Sequence, residues 1–370
     1  MLKGRATKQA TAAFAARFAN LPGNYRAALD LNLSSIGIGT YLGEPDARDD
    51  AGYVDAIKAS LGGGINVIDS AVNYRFQRSE RNVGQALKEM VESGTITREE
   101  VVVATKGGYI TFDGEVPPDP RRWFVENFVR TGIVAEGDLV DGSHCMTPRW
   151  LAKMIEMSGQ NLGLETIDIY YLHNPESQLE VVERKEFLRR IRLAFETLES
   201  AVAKGHIGVY GAATWNGFRA EPTERGWLSL EELWTAAREV GGESHHFRAI
   251  QLPLNLAMPE ALIKNNQFLG KGRGTTLAVA QDLGIAVAAS ASLLQGKLSR
   301  GLPPVVGEAF SGLGSDAQCS IQFVRSSPGV TVALVGMKSE AHVRDTLATA
   351  AHAPAPLEQL LKLFERADKN

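Results

Sequence analysis

This chain is short of cysteine, of long apolar runs and of unbalanced charge, and each shortage closes off a class of function. Its 370 residues contain two cysteines, Cys145 and Cys319, too few for a disulfide framework and at no zinc spacing. That usage points to a reducing, cytoplasmic location. No apolar stretch reaches the length of a membrane span, so no membrane partner is expected. Lys and Arg number 39 against 43 Asp and Glu, a net charge of −4, which gives no reason to expect nucleic acid. The pairs His144-Cys145 and His245-His246 belong to no cluster with ligand spacing, so no metal is expected. There is no internal repeat and no low-complexity linker. The basic stretch Met1–Lys8 leads into alanines and two phenylalanines, and reads as an extension, residues 1–30, rather than a signal peptide.

What remains is the balance of a globular protein, 44% hydrophobic and 22% charged. The length suffices for a large core without disulfides or structural metal. Three strand-like apolar runs stand out because each ends on an ionisable residue. Gly64–Ile68 stops at Asp69, with Tyr74 just beyond; Val101–Thr105 stops at Lys106; Ile167–Leu172 stops at His173. Buried parallel strands are continuously hydrophobic, and ligands gather beyond their carboxyl ends. Reactive groups of different kinds at such ends point to one site.

Periodicity predicts strand and helix in alternation. A first strand, Leu31 to Gly39, precedes a helix near Asp50–Leu61. The strands ending at Asp69, Lys106 and His173 follow, separated by helices opening at Ser79 and at Pro148, the latter with Thr147 as N-cap. A long helix from about Val182 to Lys204 buries Phe187, Ile191, Phe195 and Leu198 and turns its charges to water. Strands at Ile207–Ala213, Ala249–Pro253, Ile285–Ser290 and Val330–Gly336 complete the series, with helices near Leu228–Val240, Thr275–Leu283, Ser315–Ser326 and Glu340–Ala351. Eight such units predict an α/β fold, a (β/α)8 TIM barrel in a single domain over residues 1–370, with an enlarged loop after strand 3. That insertion, residues 107–146, carries Asp113-Gly114, a hairpin-turn signal, and a helical turn or two at Trp123–Arg130. A loop after a barrel strand lies on the catalytic face, so the insertion is read as a lid or substrate wall, with a rim ornament as the alternative.

The run to Asp69 with Tyr74 and Ser79-Glu80 resembles the N-terminal signature of the aldo-keto reductases. Lys106, Tyr171-Leu172-His173, Gly208-Val209-Tyr210-Gly211, Gln251 and Gly336-Met337-Lys338-Ser339 follow in that family's order, and Leu33–Tyr41 looks like its first strand. The resemblance, to bacterial-type members, covers roughly residues 30 to 352. It implies NADPH-dependent reduction of an aldehyde or ketone to an alcohol. In that scheme Tyr74 is the proton donor, Lys106 lowers its pKa, Asp69 holds Lys106, and His173 orients the substrate oxygen. A free phenol titrates near 10, and lowering it by about two to three units would take roughly 3–4 kcal/mol.

Cofactor contacts carried over by the resemblance are Thr40, Tyr41, Gln251, Gly336, Lys338, Ser339, His342 and Asp345. Two positions depart from the family. Ala213-Thr214 stands where Ser-Asn is usual, so Thr214 is expected to replace an amide contact. Ser290 stands where an aromatic residue commonly stacks on the nicotinamide, leaving Trp215 as a substitute. Lys338 and the start of the last barrel helix suit the 2′-phosphate of NADPH. Arg75-Phe76-Gln77-Arg78 is read either as pocket lining that favours an anionic or polar substrate, or as a surface turn. Expected partners are a small carbonyl compound and, for a homo-oligomer rather than a monomer, further copies of the chain. One alternative stays open, an NADP(H)-binding regulatory or interaction subunit with slow or vestigial activity; a lyase using Lys106 as a Schiff base is disfavoured because Tyr74 and His173 would then lack a role.

Overall fold

A computed structural model describes residues 1–135 and 137–365. The chain begins with a helix, Lys8–Arg17, and a hairpin, β1 (Tyr25–Ala28) and β2 (Leu31–Ser34). Eight parallel strands then close a barrel: β3 (Ile36–Gly39), β4 (Val67–Asp69), β5 (Val102–Gly107), β6 (Ile167–His173), β7 (Ile207–Ala213), β8 (Phe247–Pro253), β11 (Ala286–Ser290) and β12 (Val332–Gly336). Between β8 and β11 a small hairpin, β9 (Gln267–Leu269) and β10 (Gly272–Gly274), occupies the loop. Helices lie between successive strands, as in a (β/α)8 barrel.

Every residue of β5 and β6 is buried, which is why those runs are apolar without alternation: one face fills the barrel and the other meets the helices. The outward faces join the large core that includes Phe187, Ile191, Phe195 and Leu198 from the long helix Arg184–Ala203. Where β7 passes β8 the register shifts between Tyr210 and Gly211. A Cβ at Gly211 would lie 1.8 Å from the Ala249 carbonyl oxygen, so only glycine permits that approach.

The predicted first strand is two strands. At Ser34-Ser35 the chain turns a corner, with the Ser35 amide donating to Asn24 O at 2.5 Å. Residues 31–34 pair back on β1, and only 36–39 enter the barrel. Leu29 and Asp30 form the tight turn at positive φ, 56° and 57°, as a two-residue hairpin loop requires. Leu33 packs with Val67, Val102, Ile169, Tyr171 and Val332, so the hairpin plugs the amino-terminal end of the barrel. Arg26 ties it down by donating to the carbonyls of Arg325 and Val330.

The insertion after β5 also differs from expectation. Asp113-Gly114 forms no hairpin, only an isolated bridge between Asp113 and Glu115; the pairings that shape the segment are Tyr109 with His144 and Val140 with His144. Helical turns do form, at Pro120–Phe124 and Val125–Val129. Phe128, Val134, Cys145, Trp150 and Met154 bury one another there, with Phe128 and Trp150 edge to face at 5.0 Å. The segment, apart from residue 136 outside the described residues, thus has its own apolar anchor on the helix Pro148–Leu162.

Candidate active site

Asp69 ends β4, Lys106 is the penultimate residue of β5, and His173 ends β6. After Asp69 the backbone continues alongside β5, with Ser70 N donating to Ala104 O and Val72 N to Lys106 O. A turn closed by Tyr74 N to Ala71 O delivers the phenol beside Lys106. Three successive left-handed residues, Arg75, Phe76 and Gln77, then lead into the helix Arg78–Glu92.

Lys106 is fully buried, and its Nζ donates to Asp69 Oδ2 at 2.6 Å and to Ser70 O at 2.7 Å. Gln251 Nε2 donates to the other Asp69 oxygen at 2.7 Å. The ammonium lies 4.9 Å from the centre of the Tyr74 ring. Burial pulls the Lys106 pKa down, but attraction from Asp69 and Tyr74 outweighs it and leaves it raised, so the group stays cationic. Tyr74 departs from the expected lowering. Burial pushes its phenol above the ordinary 10.0, against the downward pull of Lys106, so the proton is held on the oxygen.

His173 lies between two aromatic edges, Tyr74 at 5.9 Å and Tyr109 at 5.1 Å. Its Nδ1 is buried without a hydrogen-bond partner. Burial first, then Lys106 and His144, hold its pKa well below 6.5, so the imidazole is neutral. Ser79 and Glu80 serve the frame. Ser79 Oγ donates to Thr40 O at 2.8 Å, and Glu80 accepts from Thr105 Oγ1 at 2.6 Å and Asn161 Nδ2 at 2.9 Å.

Asp69, Tyr74 and His173 open into one cavity of about 830 Å³ at the carboxyl end of the barrel, within the range of ligand pockets. Lys106 sits behind Tyr74 and does not line it. Of the predicted cofactor residues, Thr40, Tyr41, Thr214, Gln251, Ser290, Gly336, His342 and Asp345 line the cavity. The Tyr41 ring meets Tyr74 at 5.0 Å. Thr40 Oγ1 donates to Asp69 O at 3.1 Å, and Thr214 Oγ1 is buried without a partner. Asp345 accepts from Gln318 Nε2 at 2.7 Å and from Ser315 Oγ at 3.2 Å.

Lys338 and Ser339 do not line the cavity. Lys338 Nζ is drawn aside to Asp49 Oδ2 at 2.9 Å, and Ser339 caps the helix Glu340–Ala350, accepting from His342 N at 3.3 Å. Arg75 and Arg78 are not pocket lining either: both pair with Asp50. No lysine or arginine lines the cavity among the described residues. Asn73, Tyr109, Asn174 and Leu293 line it without having been singled out in the sequence. Trp215 lines it too, its loop held by three backbone N–H groups, of Trp215, Asn216 and Gly217, donating to Glu176 Oε1.

Among the described residues no group of three His, Cys, Asp or Glu could hold a metal ion, and no helix is long and apolar enough to cross a membrane. Both cysteines are buried and free.

The sequence model of the aldo/keto reductase family matches residues 35–224. An NADH-specific methylglyoxal reductase of Escherichia coli is 32% identical over 149 residues, 39% of each chain. A D-threo-aldose 1-dehydrogenase of a Pseudomonas species is 28% identical over 160 residues, 42% of this chain and 41% of that one. The match thus spans about two fifths of these curated relatives. A crystal structure of an aldo/keto reductase from Klebsiella pneumoniae in complex with NADP and acetate superposes with a TM-score of 0.62, covering 93% of this chain and 95% of that one at 21% identity. At that identity the likeness speaks for the fold.

Proposed function

The chain belongs to the aldo/keto reductase family, and from that premise we propose that it reduces an aldehyde or ketone to an alcohol with NADPH. The observation that carries this reading is the buried Lys106–Asp69 pair at 2.6 Å beside Tyr74, with His173 opposite in the same cavity. A carbonyl needs a proton donor and a hydrogen bond to its oxygen, and Tyr74 and His173 stand in one cavity to offer both.

The residues present fit the cofactor. Thr214 Oγ1 is an orphaned polar atom in a residue of the cavity wall, suited to a carboxamide, and Gln251 stands beside it. Ser290 leaves room where a larger side chain would fill the cavity, and Trp215 offers the stacking face. His342, which lines the cavity, and the helix start beside it would receive the 2′-phosphate, and Lys338 would join them by leaving Asp49. When bound, the nicotinamide supplies the hydride. Tyr74 gives its Oη proton to the oxygen as negative charge develops there. Lys106 stabilises the phenolate left behind, and Asp69 keeps Lys106 charged. Neutral His173, with Nδ1 enclosed, presents Nε2 to the carbonyl oxygen.

The pH profile follows from the Tyr74 shift. Reduction requires the protonated phenol, so activity is lost as pH rises through its pKa, which burial places above 10.0. With aldehyde limiting and NADPH saturating, kcat/KM is expected to stay level from pH 7 to pH 9. A fall centred near pH 7 would place the proton donor below its ordinary range and contradict this electrostatic account.

Lys338→Ala is expected to weaken NADPH binding by less than about tenfold, because the lysine gives up its Asp49 pair for one charge-assisted hydrogen bond to the phosphate, and to leave NADH binding unchanged. A fluorescence titration with each cofactor checks it; equal losses for both would remove Lys338 from the phosphate site.

The lyase alternative fails on Lys106, which is buried, cationic and engaged by both Asp69 and Ser70 O. The regulatory alternative rests only on Ala213 and Ser290, and nothing in the Asp69–Lys106–Tyr74–His173 geometry favours it.

A further inference from the structure

His173 has no hydrogen bond to set its ring, since Nδ1 lacks a partner, so its placement depends on packing and on its own backbone. The insertion adds to both, beside Tyr74 on the ring and the β7 ladder on the backbone. The segment returns to the barrel mouth at His144, whose buried side chain places Nε2 2.8 Å from the main-chain oxygen of His173 and Nδ1 2.8 Å from Gln178 Nε2. Proton positions in this chain are determined by its outer end. Arg190 Nη1 only donates, and it meets Gln178 Oε1 at 2.5 Å; the Gln178 amide nitrogen therefore faces His144. Nδ1 must accept, and the His144 proton sits on Nε2, donating to His173 O. Burial keeps this imidazole neutral, with its pKa lowered to about 4.

Two further contacts tighten the arrangement. A Cβ at Gly108 would lie 2.7 Å from His173 O and 3.0 Å from His144 Nε2, so glycine is what lets the two strands of chain approach. Tyr109 lays its ring edge-on to His144 at 5.0 Å and to His173 at 5.1 Å, and its hydroxyl accepts from Asn174 Nδ2 at 3.1 Å.

We propose that His144, backed by Gln178 and Arg190, is a positioning residue for His173, and that the 107–146 insertion thereby sets the ring that orients the substrate carbonyl. The inference rests on the role given to His173 above. The insertion is then neither a rim ornament nor only a wall, because it holds the strand end from which that ring projects. Misplacing a positioned group by about 1 Å costs on the order of a hundredfold in rate.

The test is a double-mutant cycle in the full chain, measuring kcat, the aldehyde KM and the NADPH Kd by fluorescence. His144→Ala is expected to lower kcat about tenfold to a hundredfold with NADPH Kd unchanged. His144→Gln, which retains a side-chain N–H donor, is expected to restore kcat to within about threefold of wild type. In a His173→Ala background, His144→Ala should cost less than about twofold more. Gln178→Leu keeps His144 in place but frees its proton to sit on either nitrogen, and should lower kcat by a smaller factor. An equal loss from His144→Ala in both backgrounds, or a kcat indifferent to His144 in an active enzyme, would overturn the inference. A wild type that binds NADPH but reduces no carbonyl would instead defeat the functional reading on which it rests.

Discussion

Tyr74→Phe is expected to lower kcat for carbonyl reduction by about a thousandfold while leaving NADPH binding and folding intact. The phenylalanine keeps the ring that packs between Tyr41 and His173, so the cavity retains its shape. Only the hydroxyl is removed, and with it the one proton held beside Lys106. Proton transfer by a positioned side chain contributes about 10² to 10⁴ in rate. The upper part of that range applies because His173 is neutral with its pKa well below 6.5, Lys106 is enclosed behind the ring, and of the cavity's other phenols Tyr109 is engaged by Asn174 and neither it nor Tyr41 has a lysine beside it. Steady-state turnover of an activated aromatic aldehyde, with cofactor affinity measured in parallel, checks the result. Turnover within a fewfold of wild type would assign the proton to another group.

Lys106→Met should be the most damaging change to activity and stability together. The side chain is about 1% exposed and its partner Asp69 about 7%. Methionine fills a similar volume but leaves the Asp69 carboxylate buried with Gln251 Nε2 as its remaining side-chain donor. Breaking a buried pair by removing one partner costs about 3–5 kcal/mol, and thermal or urea unfolding would read that loss. Turnover should fall to the level of Tyr74→Phe, because the phenolate formed on proton transfer loses its counter-charge. Lys106→Met combined with Asp69→Asn removes both charges. It should recover most of the lost stability and none of the activity. Recovery of both would mean that the pair serves folding alone.

The parts of this site legible in the sequence are those that strand geometry dictates. Asp69, Lys106 and His173 close apolar runs buried on both faces, so their convergence at one barrel end followed from the order of elements. Tyr74 and Gln251 were placed by resemblance to the family. What stayed hidden depends on contacts between distant segments. At the Ser34-Ser35 corner the apolar positions shift from Leu31 and Leu33 to Ile36 and Ile38, a break of one residue that was passed over, so the β1–β2 plug was read as part of one strand. Lys338 looked like a free cation because Asp49 lies 289 positions away, and Arg75 and Arg78 looked available because Asp50 precedes them by a whole strand and helix. The direction of the Tyr74 shift turns on the balance of burial against Lys106, and burial is a tertiary quantity. His144 carried no signal beyond an unremarkable His-Cys pair in a long loop. Its significance comes from Gly108, Gln178 and Arg190 meeting it in space.

The most direct test of the central claim is label transfer from NADPH doubly deuterated at C4 to an aromatic aldehyde, with the alcohol analysed by mass spectrometry. The account expects one deuterium in each alcohol molecule, one NADP+ formed per alcohol, and loss of the reaction in Tyr74→Phe. Tight NADPH binding with no labelled alcohol, or labelled alcohol formed equally well by Tyr74→Phe, would contradict it.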